Sequence, residues 1–317
     1  MSDFWNKTAI AVLYLLNKLP MRALFVLSDM LYPLVYYVVK YRRKVVRKNL
    51  TNSFPEKSEK EIVAIEKDFY HRFCDYFMET IKYYGMSEKE VGRRMVFEGL
   101  DEVHRMLGEG RSCICYMSHT FNWEYITSLP LYIHSEDTVT SAIYHKLRNA
   151  RFDKLFKVMR GQYGADNVTM KNTLRRVMEV MKSRKKLVLG CIADQIPKME
   201  SMNHWLTFLN QDTPVFTGSE KIARRIKASV FYVEIVRVAR GRYVARFSLM
   251  AEDASLRPEY EITDEYFKLC ERDIRKDPAS WLWTHNRWKR TRASYEAFLQ
   301  RIEERKRRLN EATENGN

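Results

Sequence analysis

His119 and Glu124 stand five positions apart in the stretch SHTFNWE, directly after the apolar run CICYM at 113–117. These residue types suit general-base chemistry. A carboxylate bonded to one imidazole nitrogen fixes the tautomer and leaves the other nitrogen to take a proton from a hydroxyl, and a hydroxyl so activated can be acylated. On one uninterrupted helix the pair would point apart, because helical neighbours lie three or four positions away. The spacing therefore predicts a strand end at His119, a turn, and a helix over about 122–129 whose first turn folds Glu124 back onto the imidazole. The competing reading is a partly buried histidine beside Trp123 with no chemical role.

The elements that must position this pair follow from the apolar patterning. Runs at 113–117, 138–144 and 187–193 read as buried strands, and His119, His145 and Asp194 each follow one of them. Strands alternating with helices predict an α/β fold with a mostly parallel central sheet flanked by helices. Ligands collect beyond the carboxyl ends of such strands. Ser58 and Glu61 form a capping-box signal for a helix over 59–84, with Ile62, Ile65, Phe69, Phe73, Phe77 and Ile81 at helical spacing. Further helices are expected over 100–107, 149–159, 171–186, 217–226 and 266–276. Residues 230–238 and 243–250 read as a hairpin across Arg240-Gly241. The stretch around Trp205, Phe208 and Pro214 reads as a loop. Near the end, WLWTHNRWKR places Trp281, Thr284 or His285, and Trp288 on one helical face, more suited to aromatic anchoring than to catalysis. Ser219 fits either an anion-binding helix start or a plain N-cap. Beyond Tyr295 a charged helix is expected to run into a disordered polar tail.

The chain has 317 residues, is 45% hydrophobic and 13% aromatic, and carries a net charge of +15. This composition excludes a disordered protein. The charge points to anionic partners: nucleic acid, lipid headgroups, phosphorylated substrates or an acidic carrier protein. Nucleic acid fits poorly, since the basic residues spread over helices without a reading module. Five cysteines without metal-ligand spacing suggest buried thiols in a reducing compartment. Residues 8–39 are the most apolar part, and Lys40, Arg42, Arg43, Lys44, Arg47 and Lys48 follow directly. That order predicts a membrane-anchoring helical segment held at an anionic cytoplasmic leaflet. A hydrophobic hairpin of a soluble bundle is the alternative. The expected division is an anchor with its basic segment over 1–48, a catalytic domain over 49–295, and the charged helix and tail over 296–317.

Several motifs occur in order: the basic helix leading to NLTNSFPE, SHTFNWE, Arg160 in MRGQYG, ADQIP, HWLTFLNQDTPVFTGSEKIAR and PASWLWTHNRWK. The chain thereby resembles the bacterial lipid A late acyltransferases, the lauroyl and myristoyl transferase family within the H-x4-D/E glycerolipid acyltransferase group, from about Arg42 to Arg290. The resemblance implies a glycerolipid acyltransferase-like fold at the cytoplasmic face of the inner membrane. It implies transfer of a fatty acyl chain from acyl carrier protein to a hydroxyl of a lipid A precursor, with His119 and Glu124 as the catalytic pair and no cofactor or metal. Arg160, Asp194 and Gln195 match positions the family uses in or beside its site. Arg160 and backbone amides near Asn122 are candidates for the oxyanion, and Arg160 is alternatively a phosphate ligand. Asp194 either orients Arg160 or caps the following turn. Lys146, Arg148, Arg175 and Arg176 suit substrate phosphates or the carrier, or form a solvated face. The segment IPKMES after ADQ, which lacks a glycine common in relatives, and the basic HKLR leave the acceptor open. A lysophospholipid, glycolipid or aminolipid acyltransferase, with acyl-CoA or carrier protein as donor, shares the same motifs. A binding protein with an inactive acyltransferase fold is the non-enzymatic alternative.

Overall fold

The computed structural model describes residues 2–133 and 135–314. Helices α1 (Ser2–Lys18), α2 (Met21–Pro33), α3 (Arg43–Ser53), α4 (Glu59–Tyr83) and α5 (Glu88–Arg94) precede the first strand, β1 (Met95–Glu98). Then come α6 (Leu100–Gly108), β2 (Cys113–Met117), a 3₁₀ segment (Trp123–Leu131), β3 (Thr138–Tyr144), α7 (Ala150–Gly161), β4 (Asp166–Thr169), α8 (Thr173–Lys182) and β5 (Lys186–Ile192). The chain continues through β6 (His204–Phe208), β7 (Gln211–Val215), α9 (Gly218–Arg225), β8 (Ser229–Ala239), β9 (Arg242–Ala251), α10 (Glu261–Lys276) and α11 (Arg292–Glu314).

Seven strands form one sheet in the order β1-β9-β8-β2-β5-β3-β4. All neighbours are parallel except β8 and β9, the expected hairpin. Strand β2 is buried along its whole length, so its alternating side chains enter two cores. Ile114 and Tyr116 pack with α3, α8, α9 and α10 on one face; Cys113, Cys115 and Met117 pack with α6 and the end of α7 on the other. Helix α4 belongs to both cores, Phe69 and Phe73 to the first and Met78 and Tyr83 to the second. Its start is the predicted capping box, with Ser58 N–H donating to Glu61 Oε2 at 2.8 Å. All five cysteines are free and buried.

The β8–β9 turn is tied to the N-terminal helices. Gly241 has φ 72°, and a Cβ there would come within 2.7 Å of the Phe25 ring, so glycine suits the position on both counts. Beside it, the Arg240 guanidinium bonds Asp75 of α4 and Asp29 of α2, and Ser28 Oγ donates to Asp75 at 2.7 Å. Helices α1 and α2 thus lie along the body. Immediately after Pro33 the helix widens into a π-helical turn, Leu34–Val38. Three of the six basic residues that follow bond the body: Arg43 and Arg47 reach the buried Glu66 carboxylate at 2.9 and 2.5 Å, and Arg42 donates to Thr284 O at 3.0 Å.

Three expectations need correction. Residues 123–131 form a 3₁₀ segment containing Pro130, not an α-helix. Residues 281–290 are turns, so no helical face carries Trp281, His285 and Trp288; the two tryptophans meet as a 6.0 Å ring contact across the turns. The stretch read as a loop is the β6–β7 hairpin. Its two turn residues, Leu209 and Asn210, both have positive φ, 51° and 60°, as a type I′ turn requires. A buried leucine gives no turn signal. The terminal helix continues to Glu314, and the last residues of the tail expected to be disordered lie outside the described residues.

Candidate active site

The register of the central strands assembles the site. Met117 of β2 pairs with Ile192 of β5, so two residues further along each strand His119 meets Asp194. Asp194 is fully buried. Its Oδ1 accepts from His119 Nδ1–H at 2.5 Å, and its Oδ2 accepts from the His119 backbone N–H at 2.8 Å and from Trp281 Nε1–H at 2.6 Å. Burial acts to raise the Asp194 carboxyl, but its electrostatic interaction with His119 and these hydrogen bonds outweigh it and hold the group below the usual carboxylate value. With Nδ1 bound, the lone pair of His119 lies on Nε2, which faces the Gln195 amide Nε2 at 3.2 Å.

The expected His119–Glu124 hydrogen bond is absent, and Asp194 takes that place. Glu124, 2% exposed, instead forms a two-bond ion pair with Arg160: Nε donates to Oε2 at 2.7 Å and Nη2 to Oε1 at 2.6 Å. Burial works against the Arg160 charge, yet Glu124 dominates and raises its pKa. Tyr76 stacks on Trp123 at 4.4 Å, and Trp123 meets the His119 ring edge-on at 4.9 Å. Asp194 therefore neither orients Arg160 nor merely caps a turn; it orients His119.

The turn between His119 and Glu124 is pinned from two sides. Phe121 has φ 49°, a conformation that costs a bulky L-residue energy and persists only where its surroundings hold it. Its N–H donates to Ser280 O at 2.9 Å, and Thr120 bridges Trp281. Asn122 does not reach substrate space. It is buried and donates Nδ2 to Glu79 at 3.0 Å, and Tyr243 Oη donates to the same carboxyl at 2.8 Å.

His119, Glu124, Arg160, Gln195 and His145 line one cavity of about 1690 Å³ including its mouth. Away from the polar group its walls are apolar, with Ile126, Leu129, Ile143, Ile192 and Phe216 among them, and Gly190 opens its inner wall. Cys115 also faces this cavity, but burial holds its thiol far above its ordinary pKa and so protonated. Lys146 and Arg148 are exposed and do not line the cavity. Arg175 pairs with Glu179 along α8, and Arg176 reaches Asp166 of β4. His285 sits behind the site, accepting from Ile196 N–H at 3.4 Å, and burial lowers it to about 4, so it is neutral at pH 7. Sequence reasoning missed Tyr76, Glu79 and Tyr243, which lie far along the chain and carry no motif.

The profile of the bacterial lipid A biosynthesis acyltransferase family matches residues 3–290. The chain belongs to this family. A search of curated proteins returned no match. In this member of the family an imidazole, its Nε2 met by the Gln195 amide, and the Arg160 guanidinium line one largely apolar cavity.

Proposed function

We propose that this acyltransferase moves a fatty acyl chain from the thioester of acyl carrier protein to a hydroxyl of a lipid A precursor, with His119 as general base and Asp194 as its partner. The observation that carries this reading is His119 Nε2, opening on a cavity whose inner walls are apolar, while Asp194 holds Nδ1. Nε2 takes the hydroxyl proton as the oxygen attacks the thioester carbonyl, and Asp194 stabilises the imidazolium. The tetrahedral intermediate collapses with cleavage of the C–S bond, and the imidazolium returns its proton to the departing thiolate. The donor is already activated, so neither an acyl-enzyme nor a cofactor is needed. Arg160, fixed by Glu124 through Nε and Nη2, turns its remaining edge toward an anionic substrate oxygen. Glu124 is in this reading the residue that positions Arg160.

Attachment to the membrane follows the N-terminal helices. The outer sides of α2 and the π-helical turn expose Val26, Met30, Val38 and Val39, while Asp29 and Ser28 are held by the body. We infer that this segment lies in the inner-membrane interface on the cytoplasmic side rather than crossing it, with Lys40, Arg42, Lys44 and Lys48 exposed toward anionic headgroups.

Mass spectrometry of lipid from cells carrying the wild-type chain, the His119→Ala chain or no copy tests the reaction. Loss of one acyl chain from lipid A in both deficient strains is expected. Intact lipid A with an altered phospholipid would replace the acceptor, and full turnover by a folded His119→Ala chain would end the mechanism.

A further inference from the structure

A second, apolar cleft lies beside the catalytic cavity. Helices α1, α4 and α7 form it: Ile10, Leu13 and Tyr14 face Leu155 and Phe156, around a space of about 430 Å³ including its open side. Phe156 lines both spaces, and the Arg160 guanidinium carbon sits 5.2 Å from its ring centre. The Phe156 side chain therefore borders both the cleft and the Glu124–Arg160 pair.

The surroundings of the cleft suit a lipid. Helix α1 exposes Val12 and Leu15, and α7 exposes Val158. Exposed cations accompany them: Lys154 and Lys157 on α7, and Lys146 and Arg148 in the preceding loop. None of these four has an ion-pair partner among the described residues, and the Asp153 carboxylate accepts from Leu147 N–H at 2.8 Å. Bare apolar side chains around an apolar space, with unneutralised positive charge on the same helix, complement a hydrocarbon chain joined to an anionic head.

We propose that the α1–α4–α7 cleft is an acceptor subsite, taking one hydrocarbon chain of the lipid that receives the acyl group and seating its anionic head against Lys154 and Lys157. This rests on the acyl-transfer reading above. The acceptor then enters sideways from the membrane surface, its hydroxyl reaching His119 past Phe156, while the donor chain occupies the catalytic cavity. Phe156 then stands between the two chains.

The experiment uses the full chain on vesicles of phosphatidylglycerol bearing a photoreactive diazirine in one acyl chain. Adducts are expected on residues 10–14 and 155–159 as well as on the outward Val26 and Met30. Leu13→Trp fills the cleft from a helix outside the catalytic machinery. It should remove the cleft adducts, leave those on α2, and raise KM for the lipid acceptor at least tenfold with KM for the acyl donor unchanged. Each methylene kept from an apolar site weakens binding about fourfold, so excluding two suffices. If Leu13→Trp does not fold, Leu155→Trp fills the cleft from α7. Adducts confined to outward side chains would overturn the proposal. Cleft adducts lost without any change in acceptor KM would assign the cleft to bulk phospholipid and equally overturn it. Failure of the acyl-transfer reading would show instead as no turnover by the wild-type chain, with labelling unaffected.

Discussion

Two buried carboxylates at the site have different partners, and their substitution should differ accordingly. Among the described residues Asp194 hydrogen-bonds His119 and Trp281, so Asp194→Asn keeps the shape but removes the acceptor that fixes the tautomer. We expect kcat to fall by roughly 10²–10⁴-fold with an unchanged circular dichroism spectrum. Glu124 is held by Arg160 alone among charged groups within hydrogen-bond reach. Arg160→Ala strands that carboxylate and should cost about 3 kcal/mol in stability, read by chemical denaturation, and adding Glu124→Gln should recover part of it. A third carboxyl, Glu79, is raised by burial to about 7, against lowering by its hydrogen bonds from Asn122 and Tyr243; Asp75 adds to the rise and Arg237 opposes it. Because the folded state holds that proton more tightly than the unfolded chain, its contribution is complete below about pH 4.5 and lost as pH rises through 7. Stability should therefore drop by on the order of 3 kcal/mol between those limits. Glu79→Gln should remove that slope, as measured by unfolding across the same pH range.

At the scale of elements, three parallel strands present His119, Asp194 and His145 at one edge, and the cavity extends back over β2, β5 and β3. Gly190 sits on that inner wall. A Cβ there would make ordinary contacts, 3.5 Å to Met117 Cε and 3.7 Å to Ser141 O, so a side chain can be added without disturbing the sheet. Gly190→Leu should fill the inner end and shift the transferred acyl group to shorter chains, seen in the lipid mass spectrum, with His119 untouched. Unaltered chain length would place the acyl group elsewhere. The turn 120–123 carries the strained Phe121, and its clamps come from α4, β9 and the segment after α10, elements that nothing in the turn's own residues specifies.

At the scale of the molecule, the N-terminal helices do two jobs. Their inner side completes a core, with Met21 and Leu24 buried against α4, while their outer side is apolar and bare. Deleting them would strip the body as well as the proposed anchor. Point changes separate the two: Val26→Glu, Met30→Glu and Val38→Glu together should release the full chain from vesicles in flotation assays while leaving its melting temperature nearly unchanged. Retention of the triple variant at high salt would move the membrane contact to another face.

Much of this was readable from residue order. Apolar runs bounded by turn residues marked β2, β3, β5, α4 and the β8–β9 hairpin, because local burial and capping are encoded locally. The ordered motifs identified the family and named His119, Glu124, Arg160, Asp194 and Gln195 as a group. What the sequence could not decide was who bonds whom. His119 is five residues from Glu124 and seventy-five from Asp194, yet the carboxylate it meets is Asp194, since strand register sets that contact and register is a property of the assembled sheet. Asn122 likewise left substrate space only when α4 and β9 closed around it. Residue types fixed the chemistry available; the pairing of strands and the packing of distant helices decided which groups perform it.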